Sequence, residues 1–124
     1  MGKGKLFVIS GASGVGKGTV LKSIMERRQD LVFSVSATTR DPRPGEVDGV
    51  HYYFITREEF ERRIDDQQIL EYTSYCGNYY GTPREPVDEV LINGGEIIIE
   101  VDVNGADQIR AKLPEAISIF IMPP

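Results

Sequence analysis

Runs of apolar residues alternate with amphipathic segments along the chain, and this alternation predicts an α/β domain. Short, almost continuous apolar runs are typical of strands buried on both faces of a sheet, and they cover residues 5–10, 32–36, 96–101 and 117–122. Apolar residues at helical spacing predict helices between these strands, at residues 17–28, 83–93 and 104–113. Strands and helices in this order predict a doubly wound parallel sheet with helices on both faces.

Residues 37–82 break this pattern and predict a small insert. Two prolines and two glycines between residues 37 and 51 predict an irregular loop, because they interrupt any strand ladder. A capping box of Thr56 and Glu59 predicts a helix that ends near Asp66. The remaining strands are short, half polar and rich in tyrosine, at residues 52–55, 69–75 and 78–82, with a turn at Gly77–Asn78.

The predicted organisation is therefore one α/β domain with an insertion. Residues 1–36 and 83–124 form the core, and residues 37–82 form a small antiparallel insert on one edge of the sheet. A chain of 124 residues is long enough for one such domain with a single hydrophobic core.

Charge and composition narrow the possible partners. The net charge of −5 argues against a nucleic-acid-binding protein. Residues 1–57 hold nine Lys and Arg and five Asp and Glu, so +4, whereas residues 58–124 hold five bases and 14 acids, so −9. A small phosphorylated ligand is expected at the basic half, although uneven surface charge alone is the alternative.

The sequence also predicts the cellular location of the protein. No apolar run approaches the roughly 18 residues that a membrane helix needs, so no membrane partner is expected. The N-terminus is not followed by an apolar signal segment. The single cysteine, Cys76, cannot form an internal disulfide, and we therefore expect a cytoplasmic protein.

A glycine-rich stretch after the first predicted strand suits a phosphate-binding loop. Its backbone N–H groups and the start of the next helix favour an anion, and Lys17 can neutralise phosphate charge. Gly18 stands where such loops place a magnesium-binding Ser or Thr, so we expect Mg²⁺ to be held through ATP phosphates and water, without direct protein ligands. An ordinary glycine-rich turn is the alternative. The predicted ATP-binding residues are Gly11, Ala12, Ser13, Gly14, Val15, Gly16, Lys17, Gly18 and Thr19.

Two arginines in the irregular loop suit a second phosphate. Arg40 and Arg43 lie three residues apart between prolines, and two guanidinium forks match a doubly charged terminal phosphate. Tyr52 and Tyr80 can add hydroxyl donors. Exposed surface arginines and tyrosines that only pack are the alternative.

Glu71 interrupts the apolar stretch ILEY and suggests a purine-base site. Guanine presents N1–H and N2–H₂ donors that suit a carboxylate, and its O6 suits a hydroxyl donor. Glu71 with Ser36 and Thr82 supplies this pattern, whereas adenine lacks the paired donors on that edge. An outward-facing glutamate on an edge strand is the alternative.

Glu100 and Asp102 end the strand of residues 96–101, at the carboxyl edge where doubly wound sheets bind ligands. Carboxylates at this position can bind the waters that surround Mg²⁺ without contacting the ion itself. Asp102 can also, or instead, cap the following helix.

Four segments together resemble guanylate kinases: SGASGVGKGT, FSVSATTRDPRPGEVDGVHYYF, ILEYTSYCGNYYGTP and IIIEVDVNGA. The resemblance covers essentially the whole chain. It implies the P-loop nucleoside monophosphate kinase fold, with residues 37–82 as a small mixed GMP-binding insert. It also implies an enzyme that phosphorylates GMP to GDP with ATP and Mg²⁺. The implied GMP contacts are Ser36, Arg40, Arg43, Tyr52, Glu71, Tyr80, Thr82 and Asp102, with Lys17, Arg40 and Asp102 as the catalytic residues.

Two rival functions stay open at this point. One is a non-catalytic guanylate-kinase-like binding module, which an intact loop with Lys17 disfavours. The other is a different nucleoside monophosphate kinase, which Glu71 disfavours. In the family the chain continues beyond a Pro-Pro pair like Pro123–Pro124 into a lid that carries arginines. We therefore expect a truncated chain and low activity. We also expect self-association through its last strand or the neighbouring one, or a partner that supplies the missing part.

Overall fold

The chain folds into two compact units that correspond to different parts of the sequence. The computed structural model describes residues 4–11 and 17–122. Unit 1 comprises Met1–Ser34 and Val87–Pro124, and unit 2 comprises Val35–Pro86. In chain order the elements are β1 Lys5–Gly11, α1 Lys17–Arg27, β2 Val32–Phe33, β3 Ala37–Thr38, β4 Tyr53–Phe54, α2 Arg57–Asp65, β5 Ile69–Tyr75, β6 Asn78–Pro83, α3 Arg84–Ile92, β7 Glu96–Glu100, α4 Val103–Lys112 and β8 Ile117–Ile121.

Unit 1 contains the predicted parallel sheet. Its strand order is β2-β7-β1-β8, and each neighbouring pair is parallel. The connection β1–α1–β2 crosses the sheet in one direction, whereas β7–α4–β8 crosses it in the other. Because such crossovers are right-handed, the two helices lie on opposite faces. The prediction of a doubly wound parallel sheet is confirmed.

The side chains of unit 1 alternate between two buried faces. Phe7 pairs with Ile98 in the register, and these residues pack with Ile9 and with Leu21 and Ile24 of α1. The neighbouring positions of β1 and β7 face the other way and are equally buried, namely Leu6, Val8, Ile97 and Ile99. Burial on both faces explains why these strands read as continuous apolar runs.

Two strands of unit 1 differ from the expectation. The predicted strand 32–36 is shorter, since β2 ends at Phe33 and only one further backbone bond, from Ser34 N–H to the Ile98 carbonyl, continues the pairing. Strand β8 forms one edge of the described sheet, and the side chains of Ile117, Ile119 and Phe120 are exposed. Self-association through this strand stays a prediction.

Unit 2 forms a separate sheet in the order β4-β3-β6-β5. The expectation from the residues that this sheet is antiparallel was wrong, because β3–β4 is parallel, whereas β3–β6 and β5–β6 are antiparallel. The mixed insert implied by the family resemblance is confirmed. The prediction that residues 37–51 hold no strand was also wrong. Ala37 and Thr38 precede both prolines of this stretch and pair with β6 on one side and β4 on the other.

The β5–β6 hairpin turns one residue earlier than predicted. Tyr75 pairs with Asn78, so the loop consists of Cys76 and Gly77. Both have positive φ, 51° and 81°, as the tight two-residue turn between twisted strands requires.

One face of this second sheet packs on α2. Phe60 is fully buried between Ala37 and Ile69, and its ring stacks on that of Tyr79 with centroids 4.8 Å apart. The predicted cap is present, since the Thr56 hydroxyl accepts a hydrogen bond from the Glu59 N–H. In the part of the chain that the structure describes, no helix is long and apolar enough to cross a membrane.

Candidate nucleotide-binding site

The carboxyl ends of β1 and β7 form one candidate site, in unit 1. The register pairs Ile9 with Glu100, and the Val101 N–H donates to the Ile9 carbonyl at 3.0 Å. The two strands are neighbours, yet the helices that follow them lie on opposite faces of the sheet. A crevice opens where adjacent strands diverge in this way, and open α/β sheets bind ligands there.

The predicted phosphate-binding loop leads from this edge into α1. Gly11 ends β1, and α1 begins at Lys17. Gly18 and Thr19 lie exposed in the first helical turn. Ala12, Ser13, Gly14, Val15 and Gly16 lie outside the described residues, and so does the side chain of Lys17. The strand-to-helix context that the loop needs is therefore present around it.

Asp102 and Glu100 leave the neighbouring strand at the same edge, and both are exposed. Asp102 caps α4, because its Oδ1 accepts a hydrogen bond from the Gly105 N–H at 2.8 Å. The capping role considered from the sequence is confirmed. In the described ranges no three His, Cys, Asp or Glu side chains cluster as a metal site.

A separate candidate site is one face of the sheet in unit 2, here called the polar face. Residues that pair across strands share a face, and every second residue along a strand returns to it. Glu71 pairs with Thr82, and Thr73 pairs with Tyr80, which also pairs with Thr38. By alternation and by register the polar face comprises Ser36, Thr38, Tyr52, Phe54, Glu71, Thr73, Tyr75, Tyr80 and Thr82.

Ser36, Thr82 and Glu71 form one row across the polar face. Ala37 pairs with Gly81 in antiparallel register, so continuing by one residue places Ser36 opposite Thr82. The Thr82 hydroxyl donates to Glu71 Oε2 at 2.7 Å, and both residues are buried. The interpretation of Glu71 as an outward surface residue is therefore wrong.

A bulge brings Glu71 to this position. The register shifts between Ile69 and Glu71, and three successive residues from Ile69 to Glu71 are buried. Regular alternation would place Ile69 and Glu71 on the same face. The extra residue, Leu70, lets Ile69 join the core around Phe60 while Glu71 faces its Thr82 partner.

Arg40 lies beside the polar face and is held by Glu46. Its Nη1 and Nη2 donate to Glu46 Oε1 and Oε2 at 2.8 and 3.0 Å, and Nη1 also donates to the Asp41 carbonyl at 3.0 Å. The guanidinium carbon lies 5.1 Å from the ring centroid of Tyr52 and 5.9 Å from that of Phe54. The cation is thus placed at the aromatic end of the polar face.

This ion pair shifts the pKa of both partners. Hydrogen bonds from Arg40, and then from the Arg43 N–H, lower the pKa of Glu46 to about 2. The Glu46 carboxylate in turn raises the pKa of Arg40, and the hydroxyls of Tyr80 and Tyr52 add smaller effects in the same direction. Both groups of the pair are therefore charged at neutral pH.

The two predicted tyrosines lie together on the polar face. The ring centroids of Tyr52 and Tyr80 are 6.1 Å apart in an edge-to-face arrangement, and Tyr75 contacts Tyr80 in the same way at 6.5 Å. Arg43 is different, because it lies in the exposed loop and its described hydrogen bonds come from its backbone. Its N–H donates to Glu46 Oε1 at 2.7 Å, and its carbonyl accepts from the Glu46 N–H at 3.0 Å.

Sequence reasoning missed Glu46, Phe54 and Tyr75. Glu46 had one usable signal, since a carboxylate three residues after Arg43 in a proline-rich turn is well placed to bind a nearby guanidinium. Phe54 and Tyr75 had none beyond strand alternation, because their place on the polar face follows from a register that the sequence does not determine.

Comparison with known proteins matches the whole arrangement to one family. A profile of the family "Guanylate kinase" matches residues 3–124. The chain is 56% identical over 122 residues to a guanylate kinase of Oceanobacillus iheyensis, which covers 98% of this chain and 59% of that protein. It is 50% identical to a guanylate kinase of Synechococcus elongatus, over 100% of this chain and 68% of that protein.

A solved structure supports the same match. The crystal structure of guanylate kinase from Anaplasma phagocytophilum superposes with a TM-score of 0.73 at 37% identity, over 99% of this chain and 62% of that one. The chain spans 59% and 61% of the length of two of the relatives that it matches.

Proposed function

The chain belongs to the guanylate kinase family, and we propose that it binds GMP on the polar face of unit 2 and transfers the γ-phosphoryl group of ATP to it. The observation that carries the proposal is the row of Ser36, Thr82 and Glu71, with Arg40 and two tyrosines farther along the same face. One face thus offers a base-recognising end and a phosphate-binding end.

Guanine is proposed to bind at the row. The Glu71 carboxylate can accept from guanine N1–H and N2–H₂, and the Ser36 hydroxyl can donate to O6. The one hydroxyl proton of Thr82 goes to Glu71 Oε2, so Thr82 holds the carboxylate that faces the base. Because Glu71 is 9% exposed, water competes weakly for these hydrogen bonds. Adenine presents no matching pair of donors, so the row favours guanine.

The GMP phosphate is proposed to bind at the Arg40 end. Arg40 remains cationic, Tyr52 and Tyr80 bring hydroxyl donors, and Arg43 stands in the adjoining loop. Charge-assisted hydrogen bonds from guanidinium to phosphate are among the strongest in proteins.

ATP is proposed to bind at the carboxyl edge of β1, on the loop from Gly11 to Thr19. The loop amides and Lys17 would hold the β- and γ-phosphates at the start of α1. Asp102 and Glu100 fit a bound Mg²⁺ as ligands of its waters, since both carboxylates are exposed at this edge. The ion would supply charge neutralisation on the phosphates.

The proposed reaction is an in-line phosphoryl transfer. A phosphate oxygen of GMP forms a bond to the γ-phosphorus of ATP as the bond to the β,γ-bridging oxygen breaks, which yields GDP and ADP. The protein positions the two phosphates and offsets the charge that spreads over the transferred group, with Lys17, Arg40 and Asp102 as the proposed catalytic residues.

Calorimetric titration of this chain with GMP and AMP, followed by an ADP-release assay with ATP, tests the proposal. GMP is expected to bind at least about tenfold more tightly than AMP, since each missing hydrogen bond to a buried charged acceptor is costly. Equal affinities would contradict the guanine site. GMP binding without ADP release, both in this chain and in a version extended to the length of its relatives, would instead favour a non-catalytic binding module.

A further inference from the structure

The hydrogen bonds of Arg40 are distributed unevenly around its guanidinium group. Glu46 occupies the edge formed by Nη1 and Nη2, and the Asp41 carbonyl accepts from Nη1 as well. A guanidinium carries five N–H donors in one plane, and its second fork is formed by Nε and Nη2. Glu46 thus fixes the plane of the group through one fork. The hydroxyls of Tyr80 and Tyr52 also act on the guanidinium, so its remaining donors meet the two tyrosines that are proposed to bind the phosphate with it.

The Arg40–Glu46 pair is more enclosed than other ion pairs of the protein. The two side chains are 12% and 19% exposed, whereas those of Arg28 and Asp30 are 50% and 65% exposed. Exposed pairs are screened by water and hold their side chains loosely. An enclosed bidentate pair holds the guanidinium in one orientation.

Glu46 also organises the loop that carries the second arginine. Its Oε1 accepts from the Arg43 N–H at 2.7 Å, and the Glu46 N–H donates to the Arg43 carbonyl at 3.0 Å. One carboxylate therefore fixes the side chain of Arg40 and the backbone of Arg43, the two arginines proposed to bind the phosphate.

We propose that Glu46 is a positioning residue for the GMP phosphate, holding Arg40 by one fork so that the other fork is presented to the phosphate oxygens. This inference rests on the proposed GMP site. Glu46 acts through Arg40 and the loop, and does not itself contact the nucleotide.

Two possible roles of Glu46 predict opposite effects of its neutralisation on GMP binding. If Glu46 acted only as a nearby negative charge, or competed with the phosphate for Arg40, the substitution Glu46→Gln would tighten the binding of an anion. If Glu46 positions Arg40, the same substitution weakens the binding of GMP. The glutamine amide has one acceptor oxygen, so it cannot accept from both Nη atoms of Arg40 and from the Arg43 N–H.

The test is calorimetric titration of the chain and its Glu46→Gln variant with GMP and with guanosine, which lacks the phosphate. The dissociation constant for GMP is expected to rise about tenfold, as for loss of one charge-assisted hydrogen bond, while that for guanosine stays unchanged. Adding Glu46→Gln to an Arg40→Met variant should cause a smaller loss than Glu46→Gln causes alone, since only the contact with the Arg43 backbone remains to be lost.

Glu59→Gln provides the matched control. Glu59 also accepts from two arginines, Arg62 and Arg63, in the same unit, but it belongs to α2, which packs on the opposite face of the sheet. This variant should bind GMP as the unmodified chain does.

Three results would overturn the inference. Unchanged or tighter GMP binding by Glu46→Gln refutes positioning while leaving the GMP site intact. Equal weakening of GMP and guanosine indicates a general disruption of the unit. Failure of the unmodified chain to bind GMP refutes the proposed function and this inference with it.

Discussion

Replacing Glu71 by glutamine is the sharpest perturbation of the proposed base site. The substitution keeps the shape of the side chain and removes its charge. In the structure the Thr82 hydroxyl donates to Glu71 Oε2 at 2.7 Å, and Thr82 is 1% exposed. The glutamine therefore has to satisfy both Thr82 and guanine with a single carbonyl oxygen.

Each orientation of that amide loses a hydrogen bond. If the carbonyl oxygen faces Thr82, the NH₂ group faces the N1–H and N2–H₂ donors of guanine. If the amide flips, the buried Thr82 hydroxyl loses its acceptor. Loss of one charge-assisted hydrogen bond costs about 1.5–3 kcal/mol, so the dissociation constant for GMP should rise by about 10- to 150-fold.

Calorimetric titrations with GMP, IMP and ATP measure this effect. IMP lacks the 2-amino group, so the preference of the unmodified chain for GMP over IMP should shrink in the Glu71→Gln variant, while ATP binding should not change. Glu61→Gln is the control, because Glu61 also accepts from a hydroxyl, that of Tyr79 at 2.9 Å, but lies on α2. Equal losses of GMP and ATP affinity, or an unchanged GMP-to-IMP ratio, would refute the assignment of Glu71 to the base.

Further predictions concern the phosphate groups and the stability of unit 2. In a version extended to the length of its relatives, Lys17→Met should lower turnover in the ADP-release assay with little change in GMP affinity, and turnover at the unmodified rate would contradict the phosphate-loop assignment. Arg40→Met should weaken the binding of GMP by tenfold or more, because a lost charged hydrogen bond costs about 2 kcal/mol. Calorimetry should show no change in the affinity for guanosine. The pKa of Glu46 is lowered from 4.5 to about 2, so its ion pair stabilises the fold above pH 4.5 and is lost as pH falls toward 2. Between pH 4.5 and 2, the stability of the Glu46→Gln variant, followed by circular dichroism, should therefore depend less on pH than that of the unmodified chain. The same pH dependence in both proteins would show that the ion pair does not stabilise the fold. Gly81→Ala should destabilise unit 2, because a Cβ there would lie 2.5 Å from the Glu71 carbonyl oxygen; Gly18→Ala, where a Cβ meets nothing within 4 Å, is the control in thermal unfolding.

The parallel sheet was predictable because burial on both faces leaves a strong trace in the sequence. Apolar runs as short and continuous as those of β1 and β7 are typical of strands covered on both sides, and the alternation of strands and helices favours parallel connections. The boundaries of the second sheet were less predictable. Strands β3 and β4 contain two residues each, and they exist through pairing with β6 and with each other rather than through a local pattern.

The residues of the candidate site were also predictable only in part. Ser36, Glu71 and Thr82 were grouped by their chemistry as candidate base-binding residues, and the structure places them in one row. These three side chains lie together because of a bulge at Leu70 and because of the register between the strands. A single sequence does not determine either feature. Glu46 was missed because its contact with Arg40 depends on how the loop of residues 40–46 folds back on itself, which composition alone does not reveal.

A crystal structure of the chain with bound GMP tests the central proposal most directly. The account predicts guanine N1 and N2 within hydrogen-bonding distance of the Glu71 carboxylate, about 2.7–3.2 Å. It also predicts the phosphate on the Nε–Nη2 fork of Arg40, with Glu46 still bound to the other fork. GMP bound away from the polar face, or with its phosphate at the Glu71 end, would contradict the account.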